Sequence, residues 1–313
     1  MIVRDRPSGF RLFFVLRGSI LPQIRGPLLA NTLVATIVAV THGALFHLKI
    51  TLTTIPFSLI GLALAIFLGF RNSAAYDRYW EARKLWGELV HRSRSLARQC
   101  QSLIDMPTPM LASNGLSDVR VRMVYRTIAF VHALRHMLRD STDYHELTPL
   151  LSEHETRRLT QTSNPPDWLM QCMGQDLQQC LQEGRLDGCR AAALDATLSA
   201  MASAAAGCER IKNTPIPFSY ALLLHRTAYL YCFLLPFGLV DSIGFMTPFV
   251  VGIVAYTFFG LDALGDEIEE PFGLDPNDLP LESISRAIEI NLREALADEH
   301  VPEEIAVIDH CLM

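Results

Sequence analysis

Residues 55–86 read IPFSLIGLALAIFLGFRNSAAYDRYWEARKLW. No charged residue occurs from Ile50 to Phe70, 21 positions, enough for a helix to cross a hydrocarbon core of ~30 Å. Charge then arrives abruptly, as Arg71, Asp77, Arg78, Glu81, Arg83 and Lys84. The helical period does not stop at that switch. Leu62, Ile66 and Phe70 stand at i, i+4 and i+8, and Ser73 and Asp77 continue the same face. No Gly–Pro or Pro–Gly pair interrupts the run, and Gly69 alone costs a helix only ~1 kcal/mol. The stretch predicts one long helix that leaves a membrane and enters the cytosol unbroken.

Its flanks fix an orientation. Residues 1–25 carry Arg4, Arg6, Arg11, Arg17 and Arg25 against Asp5. The uncharged run from Gly26 to Leu48, broken only by His42 and His47, is too long for the apolar region of a signal peptide. It predicts a first transmembrane helix over about Leu28–Phe46. Lys49 is the only formal charge before the second span begins near Ile55. Both outer flanks of this hairpin are basic, so the positive-inside rule places the N-terminus and residues 71 onward in the cytoplasm.

From 71 to about 220 no apolar run is long enough to span a bilayer. Helical patterns reach about Ile104, then cover Ser117–Arg139, 143–162, 166–184 and 187–212. They are separated by Pro107-Thr108-Pro109, Asn164-Pro165-Pro166 and Thr214-Pro215-Ile216-Pro217. No alternating strand pattern of any length is present. Asp241 is the only charge from Thr227 to Leu261, 35 residues that suit a second hairpin, with kinks allowed at Pro236 and Pro248. Then come Asp262, Asp266, Glu267, Glu269, Glu270, Asp275 and Asp278, and an amphipathic helix over about Leu281–Leu296. The reading is an all-α chain: a cytosolic segment 1–27, a transmembrane hairpin 28–70, a helical cytosolic domain 71–220, a second hairpin 221–261 and a cytosolic acidic segment with a helix, 262–313. Four spans return both termini to the cytoplasmic side of a bacterial inner membrane.

Composition agrees with this mixed character. Half the chain is apolar, yet 19% is charged. The net charge of −6 argues against nucleic acid as a partner. The seven cysteines lack any CxxC pair, which predicts buried free thiols rather than zinc or disulfides. No Ser–His–Asp set, phosphate loop or dinucleotide fingerprint appears, so neither an enzyme nor a cofactor is read. His132 and His136 lie at i, i+4 without the glutamate of HExxH, and helix packing explains them better than metal. Asp77, Glu81 and Glu88 have two readings. They form carboxylate rings that attract cations, or they pair with Arg78, Lys84 and Arg92. A membrane-anchored scaffold or sensor, or an alternating-access carrier, are the rival classes to a channel.

The blocks Ile66-Phe67-Leu68-Gly69-Phe70-Arg71-Asn72, Arg78-Tyr79-Trp80-Glu81-Ala82-Arg83-Lys84-Leu85-Trp86-Gly87, Gly207-Cys208-Glu209-Arg210-Ile211, Thr214-Pro215-Ile216-Pro217-Phe218 and Glu270-Pro271-Phe272-Gly273 resemble bacterial bestrophin homologues, in the family's order. The resemblance implies a ring-shaped homopentamer in membrane lipid that passes monovalent ions. It implies that Leu62, Ile66 and Phe70 line a hydrophobic neck, ~12 Å long at 1.5 Å per residue. Apolar rings of that kind gate by dewetting. It also implies a second, cytosolic narrowing at Ala191, Ala192 and Ala193, for which simple Ala-rich helix packing is the other reading. Bacterial relatives imply small cations such as sodium, and the family's eukaryotic members imply chloride as the alternative. Those members bind calcium after the last span, but here the acids are interrupted by Pro271-Phe272-Gly273 and lack EF-hand spacing, so no calcium site is expected.

Overall fold

The computed structural model describes residues 1–3, 9, 15–16, 18–42, 44–45, 48–49 and 53–312. The predicted basic flank of Arg4, Arg6, Arg11 and Arg17, with Asp5, lies outside these residues, as do His47 and the Phe46 end of the first predicted span. Among the described residues the chain is helical: α1 Leu21–Val40, α2 Thr54–Leu103, α3 Val119–Leu138, α4 Glu153–Leu159, α5 Pro165–Gln182, α6 Gly188–Asn213, α7 Phe218–Ile243, α8 Thr247–Glu269 and α9 Leu281–Ala295. One exception qualifies the all-α expectation. A minimal antiparallel hairpin, β1 Ala44–Leu45 with β2 Leu48–Lys49, joins α1 to α2.

The sequence sets most of these ends through local hydrogen bonds. Asp118 caps α3 by accepting from the Arg120 N–H at 2.9 Å. Ser152 and Glu155 form a reciprocal capping box on α4. Asn164 caps α5 with Pro165 behind it, and Asp187 caps α6. The first predicted span is shifted. α1 starts seven residues earlier, with Pro22 in its first turn, and stops at Val40, where Thr41 and His42 (φ 48°) turn the chain. An uncharged run marks which residues can lie in lipid, not where backbone geometry ends the helix. Pro248 is likewise no kink. It sits in the first turn of α8, where a missing N–H costs nothing, whereas Pro236 is inside α7 as expected. The acidic segment predicted to follow the last span begins inside α8, which continues to Glu269.

The chain divides into two compact units. One comprises Arg4–Tyr79 and Pro215–Pro271, the other Met1–Val3, Trp80–Thr214 and Phe272–Met313. In the first, α1 packs on α8 and α7, and α7 on α8. Its apolar clusters gather Ile24, Cys232, Ala255 and Phe259; Ala35, Phe57, Leu235 and Val251; and Leu64, Leu68, Leu224 and Ala228. α1, α2 and the α7–α8 run are long and apolar enough to cross a membrane. Ala-rich α6 also meets that measure. It belongs to the other unit, however, where it packs on α3 and α5 and buries Leu194, Leu198, Met201 and Cys208.

In that second unit α3 is the central element, contacting α5, α6 and α9, with Met123, Ile128, Phe130 and Leu134 fully enclosed. Ion pairs tie its rim. Arg122 and Arg126 both reach Asp176, and Arg126 reaches Glu155 at 2.7 Å. Five of the cysteines, Cys100, Cys172, Cys180, Cys208 and Cys232, are buried free thiols. Burial pushes the Cys172 and Cys180 thiols upward, away from reactivity.

Candidate functional site

α2 is a single 50-residue helix, as its unbroken period predicts. At ~100° per residue its buried positions fall on one side. Leu64, Leu68, Arg71, Ala75, Ala82, Trp86, Leu89, Ser93, Leu96 and Cys100 are each within about 45° of a common line. Leu62, Ile66 and Phe70 lie on the opposite side, 62%, 48% and 65% exposed. Three large apolar side chains on one face, none covered by their own chain, form a surface for lipid, for another copy or for a pore.

The same face continues below Phe70. Ser73, Asp77, Lys84, His91 and Arg98 lie within about 40° of the Ile66 direction, and all five are exposed. The carboxylates anticipated there differ in fate. Glu88 pairs with Arg92 at 2.5 Å, as i, i+4 spacing allows. Glu81 pairs not with Lys84 but with Arg210 at 2.6 Å. Asp77 carries no ion pair among the described residues, and neither do Lys84 and Arg98. Ala191 is buried, while Ala192 and Ala193 are exposed near the start of α6.

Arg71 points away from this face. Its side chain is 1% exposed and bonds Asp262 at 2.9 Å, Asp266, and Glu269 at 3.6 Å. His225 Nδ1 lies 2.6 Å from the other oxygen of Asp262. Asn72 donates to the Leu261 carbonyl at 3.0 Å, and Arg78 Nε to that of Glu269 at 3.2 Å. Gly265 permits this approach: a Cβ there would stand 2.5 Å from Asn72 Oδ1. The acids after the last span thus surround a guanidinium, and Asp278 accepts from the Asp275 N–H at 2.7 Å. Sequence reasoning missed the cluster, although Asp262, Asp266 and Glu269 at i, i+4 and i+7 share a helix face.

His132 and His136 both face Glu146, whose Oε1 lies 3.5 Å from His132 Nδ1 and 2.6 Å from His136 Nε2. His132 Nε2 lies 3.1 Å from Glu289. Among the described residues no three His, Cys, Asp or Glu side chains are grouped as a metal site. Burial alone would raise the Glu289 carboxyl, but hydrogen bonding to His132 and the charges of His132 and Arg286 hold it below the usual range. Glu146 is depressed too. Its desolvation is outweighed by hydrogen bonds with His132 and His136 and by the Arg135 charge.

A chain with several bilayer-length helices, one of which runs on unbroken into a charged half, is a polytopic helical membrane protein. Comparison with known proteins then resolves the family. The model of the bacterial and fungal bestrophins matches residues 1–294. A voltage-dependent anion channel-forming protein of Ralstonia nicotianae is 41% identical over 306 residues, covering 98% of both chains. YneE of Escherichia coli K12, which bears the same description, is 42% identical over 306 residues, 97% of each chain. A crystal structure of a bacterial bestrophin homologue from Klebsiella pneumoniae superposes with a TM-score of 0.81 at 38% identity, over 88% of this chain and 99% of that one. The chain belongs to the bestrophin family, whose members are ion channels rather than enzymes. The preference for sodium implied by the sequence resemblance finds no support in these relatives, whose names are those of anion channels.

Proposed function

We propose that this chain forms a homopentameric channel of the bacterial inner membrane that passes small monovalent anions through a neck lined by Leu62, Ile66 and Phe70. The observation that carries the reading is the exposed face of α2. Its apolar line ends at Phe70 and continues into Lys84, His91 and Arg98, while Glu88 on the same face is tied to Arg92 and Glu81 on its flank is tied to Arg210. Five copies of that face around an axis make three apolar rings followed by rings of positive charge. Apolar rings do not select a sign, so selectivity falls to the charges beyond them. Asp77, at the first turns below the neck, opposes the bases, and its removal sharpens anion preference. The names of the related proteins point the same way. Ala192 and Ala193 form the cytosolic narrowing in this reading, and small side chains leave it wide. Both termini lie in the cytoplasm, with membrane boundaries near residues 28, 70, 221 and 261.

The test is a reversal potential in planar bilayers holding the purified protein under an asymmetric potassium chloride gradient. The reading predicts a value close to the chloride equilibrium potential, moved further toward it by Asp77→Asn. A value near the potassium equilibrium potential overturns the anion assignment, and absence of any flux from reconstituted liposomes overturns the channel itself.

A further inference from the structure

The half of α2 beyond Tyr79 holds a concentration of charge that neither packing nor pairing explains. Residues 83–98 carry Arg83, Lys84, Arg92, Arg94 and Arg98 against Glu88 alone, in a chain whose net charge is −6. Arg92 is neutralised by Glu88. Arg94 and Arg98 are exposed, stand at i, i+4 and make no ion pair among the described residues. Like charges so placed are about 5–6 Å apart at Cβ and destabilise a helix unless an anion covers them. Over them lies an open depression of about 440 Å³ along this one helix, lined by Gly87, Val90, His91, Arg94, Ser95 and Arg98. Gly87 adds no side chain there, and Arg83 Nη1 would stand 3.5 Å from a Cβ at that position. The donors on its walls are two guanidiniums, an imidazole and a hydroxyl. Guanidinium forks match phosphate oxygens in pairs, and Ser95 and His91 can serve the remaining ones.

We propose that this depression binds a multivalent phosphate anion of the linear polyphosphate class, with adjacent phosphates bridging Arg94 and Arg98. A multivalent anion neutralises both guanidiniums at once, which chloride cannot do. The binding itself does not depend on the channel reading. Its consequence does: His91 and Arg98, which line it, are residues that the proposed function assigns to the ion path, so occupancy reduces current if that assignment holds.

The experiment is calorimetric titration of the purified full-length protein in detergent with sodium tripolyphosphate at low salt. Binding is expected to weaken as salt is raised. R94Q/R98Q, checked for unchanged elution and melting temperature, is expected to raise Kd at least ~10-fold. R92Q, whose guanidinium is already paired, is expected to change it by no more than ~2-fold. Should R94Q/R98Q not fold, R94K/R98K retains the charge without the planar fork and is expected to lose several-fold in affinity. No binding to the parent, equal binding to the parent and to the Arg94/Arg98 variants, or an equal loss in R92Q overturns the site. A fall in oligomer mass in R94Q/R98Q, with no tripolyphosphate binding by the parent, assigns the patch to a contact between copies and also overturns it. Current block is a separate readout: binding without block leaves the site standing and counts against the pore assignment.

Discussion

Arg71 illustrates what one buried charge requires of its surroundings. Enclosing a guanidinium without partners is prohibitive, so three carboxylates of α8 are drawn to it. Arg71→Met should destabilise the detergent-solubilised protein by about 3–5 kcal/mol, because the buried Asp262 then loses its guanidinium and keeps only His225. A melting temperature equal to the parent's contradicts that role. Glu289 answers differently, through pH. Its carboxyl is depressed in the fold, so its contribution is present above the ordinary carboxylate pKa and disappears as pH falls through the lower folded value. Glu289→Gln should therefore cost about 2 kcal/mol at pH 7, and much less at pH 3. The check is melting temperature against pH for both proteins, whose curves should converge on acidification. Curves that stay parallel contradict the assignment.

At the scale of elements, α2 was legible because its period of 3.6 survives the change from apolar to charged residues, and its predicted end at Ile104 lies one residue beyond Leu103. The cap of α3 was legible because it is local: Asp118 acts on the N–H group two residues away. What depends on distant sequence was not. Glu81 finds Arg210, 129 positions on, and Arg71 finds Asp262, 191 positions on; no local pattern announces either pairing. Local spacing offered Glu81 a partner at Lys84, and left carboxylate rings and ion pairs as two readings; the partner it takes, Arg210, lies beyond any local pattern. Close helix contact supplies another prediction. A Cβ on Gly238 would lie 2.5 Å from the Phe57 ring, so Gly238→Val should destabilise the α2–α7 contact by about 1–3 kcal/mol, measured as a lowered melting temperature. For the exposed face, L62A/I66A/F70A should raise single-channel conductance severalfold, since smaller rings remove the dewetted constriction. Parent-like conductance from a variant that assembles normally shows that the neck is not limiting.

At the scale of the whole molecule, the account rests on which side of α2 meets the ion path. Leu68 and Ile66 are two residues apart, about 160° around the helix from one another, the first fully buried and the second 48% exposed. They are adjacent in depth and opposed in direction, so they separate the exposed face of α2 from its packing seam. The most direct measurement is current through Ile66→Cys and Leu68→Cys channels before and after a charged, water-soluble thiol reagent, in a parent whose own current the reagent leaves unchanged. The account predicts rapid, near-complete modification of current in Ile66→Cys and none in Leu68→Cys. Modification of Leu68→Cys with Ile66→Cys untouched would contradict it.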